Sequence, residues 1–318
     1  MTRVSGPSTA WILLGVLAGG LLGLYLPIIS PALIWGQWGL LALMVFLVVV
    51  SLPLLSIGRA IAKPRVLAAL FALNLIVVPL VAFVFSRVLF QVPALQVGLL
   101  LVLLAPGVAL SLTTAYEAGG DVESVLGSKP LLFVGQLVVV PLYTVFLSGG
   151  VLGFDDLPPT FIVIGLVIIA PSLVALALQW AMARSASVAA SRPWLTMIRV
   201  PVIALTVGVV VWNQVPAHLE ELEELLRVVP LFFSFFVVLA PLGLLAGILA
   251  NLTVAEKRAI MIVGAGRGGV IMLPISLALD QDVWGLVPLV VITQLAMEVI
   301  GMMVYRTIVP EIIPSGSR

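Results

Sequence analysis

Residues Arg258–Leu279 read RAIMIVGAGRGGVIMLPISLAL. The stretch is long and apolar enough to cross a bilayer, which takes about 20 residues. Its centre holds Gly264, Gly266, Gly268 and Gly269 around a single arginine, Arg267. Clustered glycines weaken a helix. A guanidinium near the midplane costs about 2.5–3.5 kcal/mol on insertion scales. Irregular backbone at membrane depth persists only where protein buries it or where it lines a cavity. This segment therefore predicts a polytopic membrane protein with an interrupted helix at a functional centre.

The rest of the chain supports that class. Of 318 residues, 62% are hydrophobic and 9% charged, and the mean hydropathy is +1.30. A soluble domain is about 45–50% apolar and about 25% charged, so soluble enzymes, disordered scaffolds and nucleic-acid binders are excluded. With no cysteine and one histidine, His218, thiolate and multi-histidine metal sites are excluded too. A nucleophile–base pair or carboxylate pair at membrane depth is also missing from the pattern, so no enzyme, metal or cofactor is expected.

Ten spans are expected, approximately 9–29, 33–57, 66–89, 95–116, 125–147, 160–183, 195–213, 228–250, 258–279 and 284–305. If both termini are cytoplasmic, twelve of the fifteen basic residues fall in cytoplasmic segments or helix ends: Arg3, Arg59, Lys63, Arg65, Lys129, Arg184, Arg192, Arg199, Lys257, Arg258, Arg306 and Arg318. The positive-inside rule favours that orientation. Asp155, Asp156, Glu220, Glu221, Glu223, Glu224, Asp280 and Asp282 gather outside. Glu117, Asp121 and Glu123 read as a solvated end of span four, and Pro216–Arg227 as a short surface helix carrying His218.

Two halves are weakly repeated. Pro130–Leu137 (PLLFVGQL) returns as Pro288–Leu295 (PLVVITQL), 158 positions later, and Pro79-Leu80 returns as Pro241-Leu242 after 162. Five spans per unit invert the second unit, a plan common among secondary transporters. The expected fold is thus all-α, ten helices in two inverted five-helix repeats, 1–148 and 149–318. The fourth span of each half is interrupted, by Ala105-Pro106-Gly107 and by the glycine cluster around Arg267.

A break exposes amide ends that favour negative charge. Gly107–Ala109 and Gly268-Gly269 supply such ends, and Ser111, Thr113 and Thr114 add hydroxyls that either face the cavity or bond back to their own helix. The candidate substrate site is Gly107, Ser111, Thr114, Arg267, Gly268 and Gly269. Glu298 is the acid deepest in a span, either paired with Arg267 or carrying a proton. Gln294 lies one turn before it and Gln136 is its repeat mate. Asn74 and Gln179 are further polar residues suited to joining helices.

These residues resemble the bile acid:sodium symporter superfamily, and most closely its arsenical-resistance branch. The resemblance is carried by Gly98–Pro106, Gly119-Gly120-Asp121, Gln136–Tyr143, Arg267, Leu273-Pro274, Thr293-Gln294 through Glu298, and Gly301. It implies a core domain with crossed helices four and nine, and a panel domain that moves against it, each built from both repeats. Two positions depart from the pattern. The arsenite carriers place a cysteine after the proline of helix four, where this chain has Gly107. The sodium-coupled branch uses a glutamate with glutamine and asparagine near the helix-nine break, and Met261–Gly269 has no carboxylate or amide side chain.

The expected function is a secondary active transporter of a small anionic solute, in a bacterial cytoplasmic membrane, with proton or sodium coupling. Its partners are the solute and membrane lipid, with no nucleic acid. The alternatives are a proton-coupled arsenite or antimonite efflux permease, and an uncoupled channel or transport-dead sensor.

Overall fold

Proline writes many of the helix starts in this chain. It occupies the first or second position of the helices beginning at Pro64, Pro93, Arg192, Val229 and Val287. At those positions its missing N–H leaves no hydrogen bond unmade and its fixed φ suits the helix. The computed structural model describes residues 7–27, 31–52, 63–107 and 109–314. Arg3, Arg59, Val108 and Arg318 of the sequence reading lie outside them, as do the ends of the first two expected spans.

The described residues are helical and contain no strand. We label the main helices α1 (Pro7–Tyr25), α2 (Pro31–Val50), α3 (Pro64–Leu89), α4 (Pro93–Leu103), α5 (Ala109–Glu117) and α6 (Ser128–Ser148). The second half holds α7 (Pro159–Arg184), α8 (Arg192–Gln214), α9 (Val229–Leu249), α10 (Val254–Ala265), α11 (Gly269–Ala278) and α12 (Val287–Ile312). Among the described residues, eight helical stretches are long and apolar enough to cross a membrane; α1 and α4 are shorter apolar helices. Pro216–Arg227 is a short helical segment kinked at His218.

The helices form two groups. α1 packs along α8, and α2 packs on α7 and α8. In the other group α9 packs on α10, α12 on α4 and α11, and α5 on α10. Burial separates centre from periphery: every residue from Arg258 to Leu277 in α10–α11 is buried, whereas most of α7 is exposed or half-buried. A helix apolar all round is either central or faces lipid, and these two illustrate each case.

One interior detail follows from a single proline. Pro79 has no amide to give to the carbonyl of Leu75, four residues earlier. Leu73–Val77 widens into a π-turn, and the Tyr143 hydroxyl donates to the Leu75 carbonyl at 3.1 Å. Asn74 lies in that turn and is buried. Such π-turns often mark functional positions.

Two of the basic residues read as lying at helix ends are buried. Lys129 does not lie at a solvated end; it is 3% exposed and turned into the core. Arg258 is also buried, donating to the Ile313 carbonyl at 2.9 and 2.7 Å and to Ala118 at 3.2 Å. Counting charges by position along the chain does not distinguish a side chain that reaches water from one drawn inward by unpaired carbonyls. Glu117 and Asp121, by contrast, meet Arg306 and Lys63 in part-exposed ion pairs.

Candidate functional site

Both predicted interruptions exist, and they touch. α4 ends at Leu103 and α5 begins at Ala109; α10 ends at Ala265 and α11 begins at Gly269. The Gly268 amide donates to the Pro106 carbonyl at 3.0 Å. The approach explains two glycines. A Cβ on Gly107 would stand 2.5 Å from the Gly266 carbonyl oxygen, and one on Gly266 would collide with the Ser111 side chain.

Ending α4 leaves a row of carbonyl groups without helical donors. Each acquires another. Leu104 accepts from the Gln136 amide at 3.0 Å, Ala105 from the Arg267 guanidinium at 3.4 Å, Pro106 from the Gly268 amide at 3.0 Å, and Gly107 from the Lys129 ammonium at 2.9 Å. Lys129 also donates to the Ser111 hydroxyl at 3.2 Å. A buried carbonyl without a partner costs about 1–3 kcal/mol, so this set of donors stabilises the break.

Arg267 is fully buried. Its guanidinium donates to Asn74 Oδ1 at 2.9 Å, to Ala105, and to the Gly264 carbonyl at the end of α10. The guanidinium carbon is 5.5 Å from the Phe235 ring centroid. Glu298 faces the same residue through its backbone: the Arg267 amide donates to Glu298 Oε1 at 3.0 Å. The two side chains form no salt bridge. Gln294 Nε2 lies 3.5 Å from Glu298 Oε2.

The other sequence candidates fall into place around this centre. Gly268 precedes the first residue of α11, and Gly269 lies so close to Gln294 that a Cβ would stand 2.6 Å from Gln294 Oε1. Gln136 touches the first break and Gln294 the second. The side-chain oxygens of both lack a hydrogen-bond partner in the buried interior. Thr114 bonds back to the Leu110 carbonyl at 3.0 Å. Gln179 is elsewhere, donating to the carbonyls of Val49, Val50 and Leu52 at the end of α2.

Lys129 is the residue that sequence reasoning left out of the site. Its signal was present, because it stands inside the expected fifth span, directly before Pro130. Together Lys129 and Arg267 bring two buried basic side chains to the crossing beside one buried acid, Glu298.

Residues 39–215, more than half of the chain, match the model of the sodium bile acid symporter family. The chain belongs to the sodium bile acid symporter family. Members of this family are transporters, not enzymes, and the multi-pass apolar helices agree with a membrane transporter. No curated protein matches the chain. The matched region holds the first break and Lys129 and stops before the second break.

Proposed function

We propose that the chain is a secondary transporter that moves a small anionic solute across a bacterial cytoplasmic membrane by alternating access. The observation that carries this reading is the charge balance at the crossing: Lys129 and Arg267 are buried beside a single buried acid, Glu298. A net positive centre at membrane depth is costly and favours a mobile counter-ion. The amino end of α11 points its dipole to the same place. The solute would bind near Gly107, Ser111, Arg267, Gly268 and Gly269.

In this reading the eight long stretches, α1, and the α4–α5 pair make ten crossings, in two inverted repeats spanning 1–148 and 149–318, with both termini cytoplasmic. The matching positions of Gln136 and Gln294, one at each break, support the repeat. α1, α2, α7 and α8 form the panel, and the remaining helices form the core. The residues at the crossing are nearly all buried, so solute entry requires the two groups to part on one side at a time. Glu298 is the acid placed to carry a proton through that movement.

A thermal-shift screen of the purified chain against small carboxylates, oxyanions and arsenite identifies the solute class, since a ligand of the folded state raises Tm. Uptake of the hit into proteoliposomes then tests transport. Untouched transport by a folded Arg267→Ala variant overturns the anion site. Flux that never concentrates the solute means a channel, and arsenite as the sole hit means an efflux permease.

A further inference from the structure

Sodium is the coupling ion in the family's description, and secondary transporters hold such ions with the unwound carbonyls of half-helix ends. The donor set at this crossing can be compared with that demand. The four carbonyls Leu104, Ala105, Pro106 and Gly107 already accept from Gln136, Arg267, Gly268 and Lys129. On the other side of the crossing the Gly264 carbonyl accepts from Arg267. Glu298, which a cation would also seek, receives the Arg267 amide and Gln294. Two of these donors are basic side chains, an ammonium and a guanidinium group, buried at 3% and 0% exposure. A sodium ion brought to the same oxygens would face an ammonium and a guanidinium in a medium of low dielectric, where like charges repel strongly. The residues present do not fit a sodium ion.

We propose that Lys129 and Arg267 are resident cations that take the place of transported sodium at the two helix breaks, so that this chain works without sodium. Lys129 is the more telling of the pair. An ammonium is a compact point charge with several donors on a flexible stem, and this one reaches a break carbonyl at 2.9 Å and a hydroxyl at 3.2 Å, the kind of oxygen pair that would ligate an alkali ion. Its helix position fixes it: Lys129 stands in the first turn of α6, and its side chain extends to the end of the α4 break. Unlike a bound ion, a tethered ammonium cannot dissociate to either side, so it stabilises the break in every state without storing a sodium gradient. This inference rests on the transporter reading for its meaning and on the crossing geometry for its content.

The test uses the full chain purified in detergent, with sodium itself as the probe. Equilibrium binding of radioactive sodium and Tm in sodium chloride against choline chloride are measured for the wild type and for Lys129→Asn, which removes the charge and offers an oxygen. The expected wild type shows no saturable sodium binding and the same Tm in both salts. The expected Lys129→Asn protein is restabilised by sodium alone, by about 3 °C or more. Saturable sodium binding to the wild type overturns the proposal, and that arm decides even if the variant does not fold. A folded Lys129→Asn protein indifferent to sodium also overturns it. Neither arm uses the solute, so a protein that transports nothing is detected in the proteoliposome assay and leaves these readouts separate.

Discussion

The Gly268 amide donates to the Pro106 carbonyl at 3.0 Å, joining the two interrupted helices by main chain alone. Such a bond needs the two backbones to approach with no Cβ between them. Gly107 and Gly266 supply that clearance, and a Cβ on Gly107 would also stand 3.2 Å from Lys129 Nζ. Overpacking a close interior contact costs about 1–3 kcal/mol. Gly107→Ala is therefore expected to lower Tm in detergent measurably. Gly135→Ala, whose Cβ meets nothing within 4 Å, is expected to leave it within about 1 °C.

Arg267 does three jobs with one planar group, serving Asn74, Ala105 and Gly264 at once. Lysine keeps the charge but lacks the rigid fork. Removing a buried charged partner typically costs about 3–5 kcal/mol. Arg267→Ala is expected to lose most of that stability and all solute binding. Arg267→Lys is expected to bind the solute at least about tenfold more weakly while recovering part of the Tm, because the charge remains and the fork does not. Titration calorimetry with the solute found in the screen, together with thermal unfolding, separates the two effects.

The breaks were legible in the sequence because glycine and proline act on the backbone locally, so Ala105-Pro106-Gly107 and the cluster at Gly264–Gly269 needed no knowledge of tertiary contacts. Arg267 and Glu298 were legible for the same reason: a charge deep in an apolar run needs a partner wherever the helix sits. Their pairing was not. The sequence suggests guanidinium against carboxylate, whereas Glu298 is met by the Arg267 backbone and the guanidinium turns to Asn74. Asn74 comes from a different helix, where it lies in the π-turn at Leu73–Val77. The role of Lys129 was not legible because its side chain is long enough to reach from a helix end to the crossing, which position along the chain does not reveal.

Glu298 is the buried acid at the crossing, and its two oxygens are met by an amide N–H and by Gln294. A glutamine in its place retains an oxygen to accept from the Arg267 amide. Glu298→Gln is therefore expected to fold and to bind an anion at least as tightly, since one negative charge near the site is gone. If Glu298 is the proton carrier proposed above, the variant is also expected to lose any response of uptake to an imposed pH gradient. Proteoliposome uptake with and without a pH step measures this; a variant that still concentrates solute on the gradient rules Glu298 out as the proton carrier.

A polar contact at the far end of α11 ties the two helix groups together. Gln214, the last residue of α8, donates to Gln281 Oε1 at 3.1 Å, and Gln281 in turn donates to the Leu279 carbonyl at 2.7 Å. Beside it lies a cavity of about 190 Å³ lined by Gln37, Trp38, Asn213, Gln214, Leu277 and Gln281. The bond joins a helix of one group to the end of a broken helix in the other. A hydrogen bond of this kind contributes about 0.5–1.5 kcal/mol, so deleting it shifts an opening equilibrium by about two- to tenfold. The chain has no cysteine, which makes Leu277→Cys a single reporter at the cavity wall. Adding Gln214→Ala to that reporter is expected to speed its labelling by a membrane-impermeant thiol reagent by several fold from one side of the membrane, with no change from the other. Equal labelling rates with and without Gln214→Ala would mean that the glutamine pair does not hold that side closed.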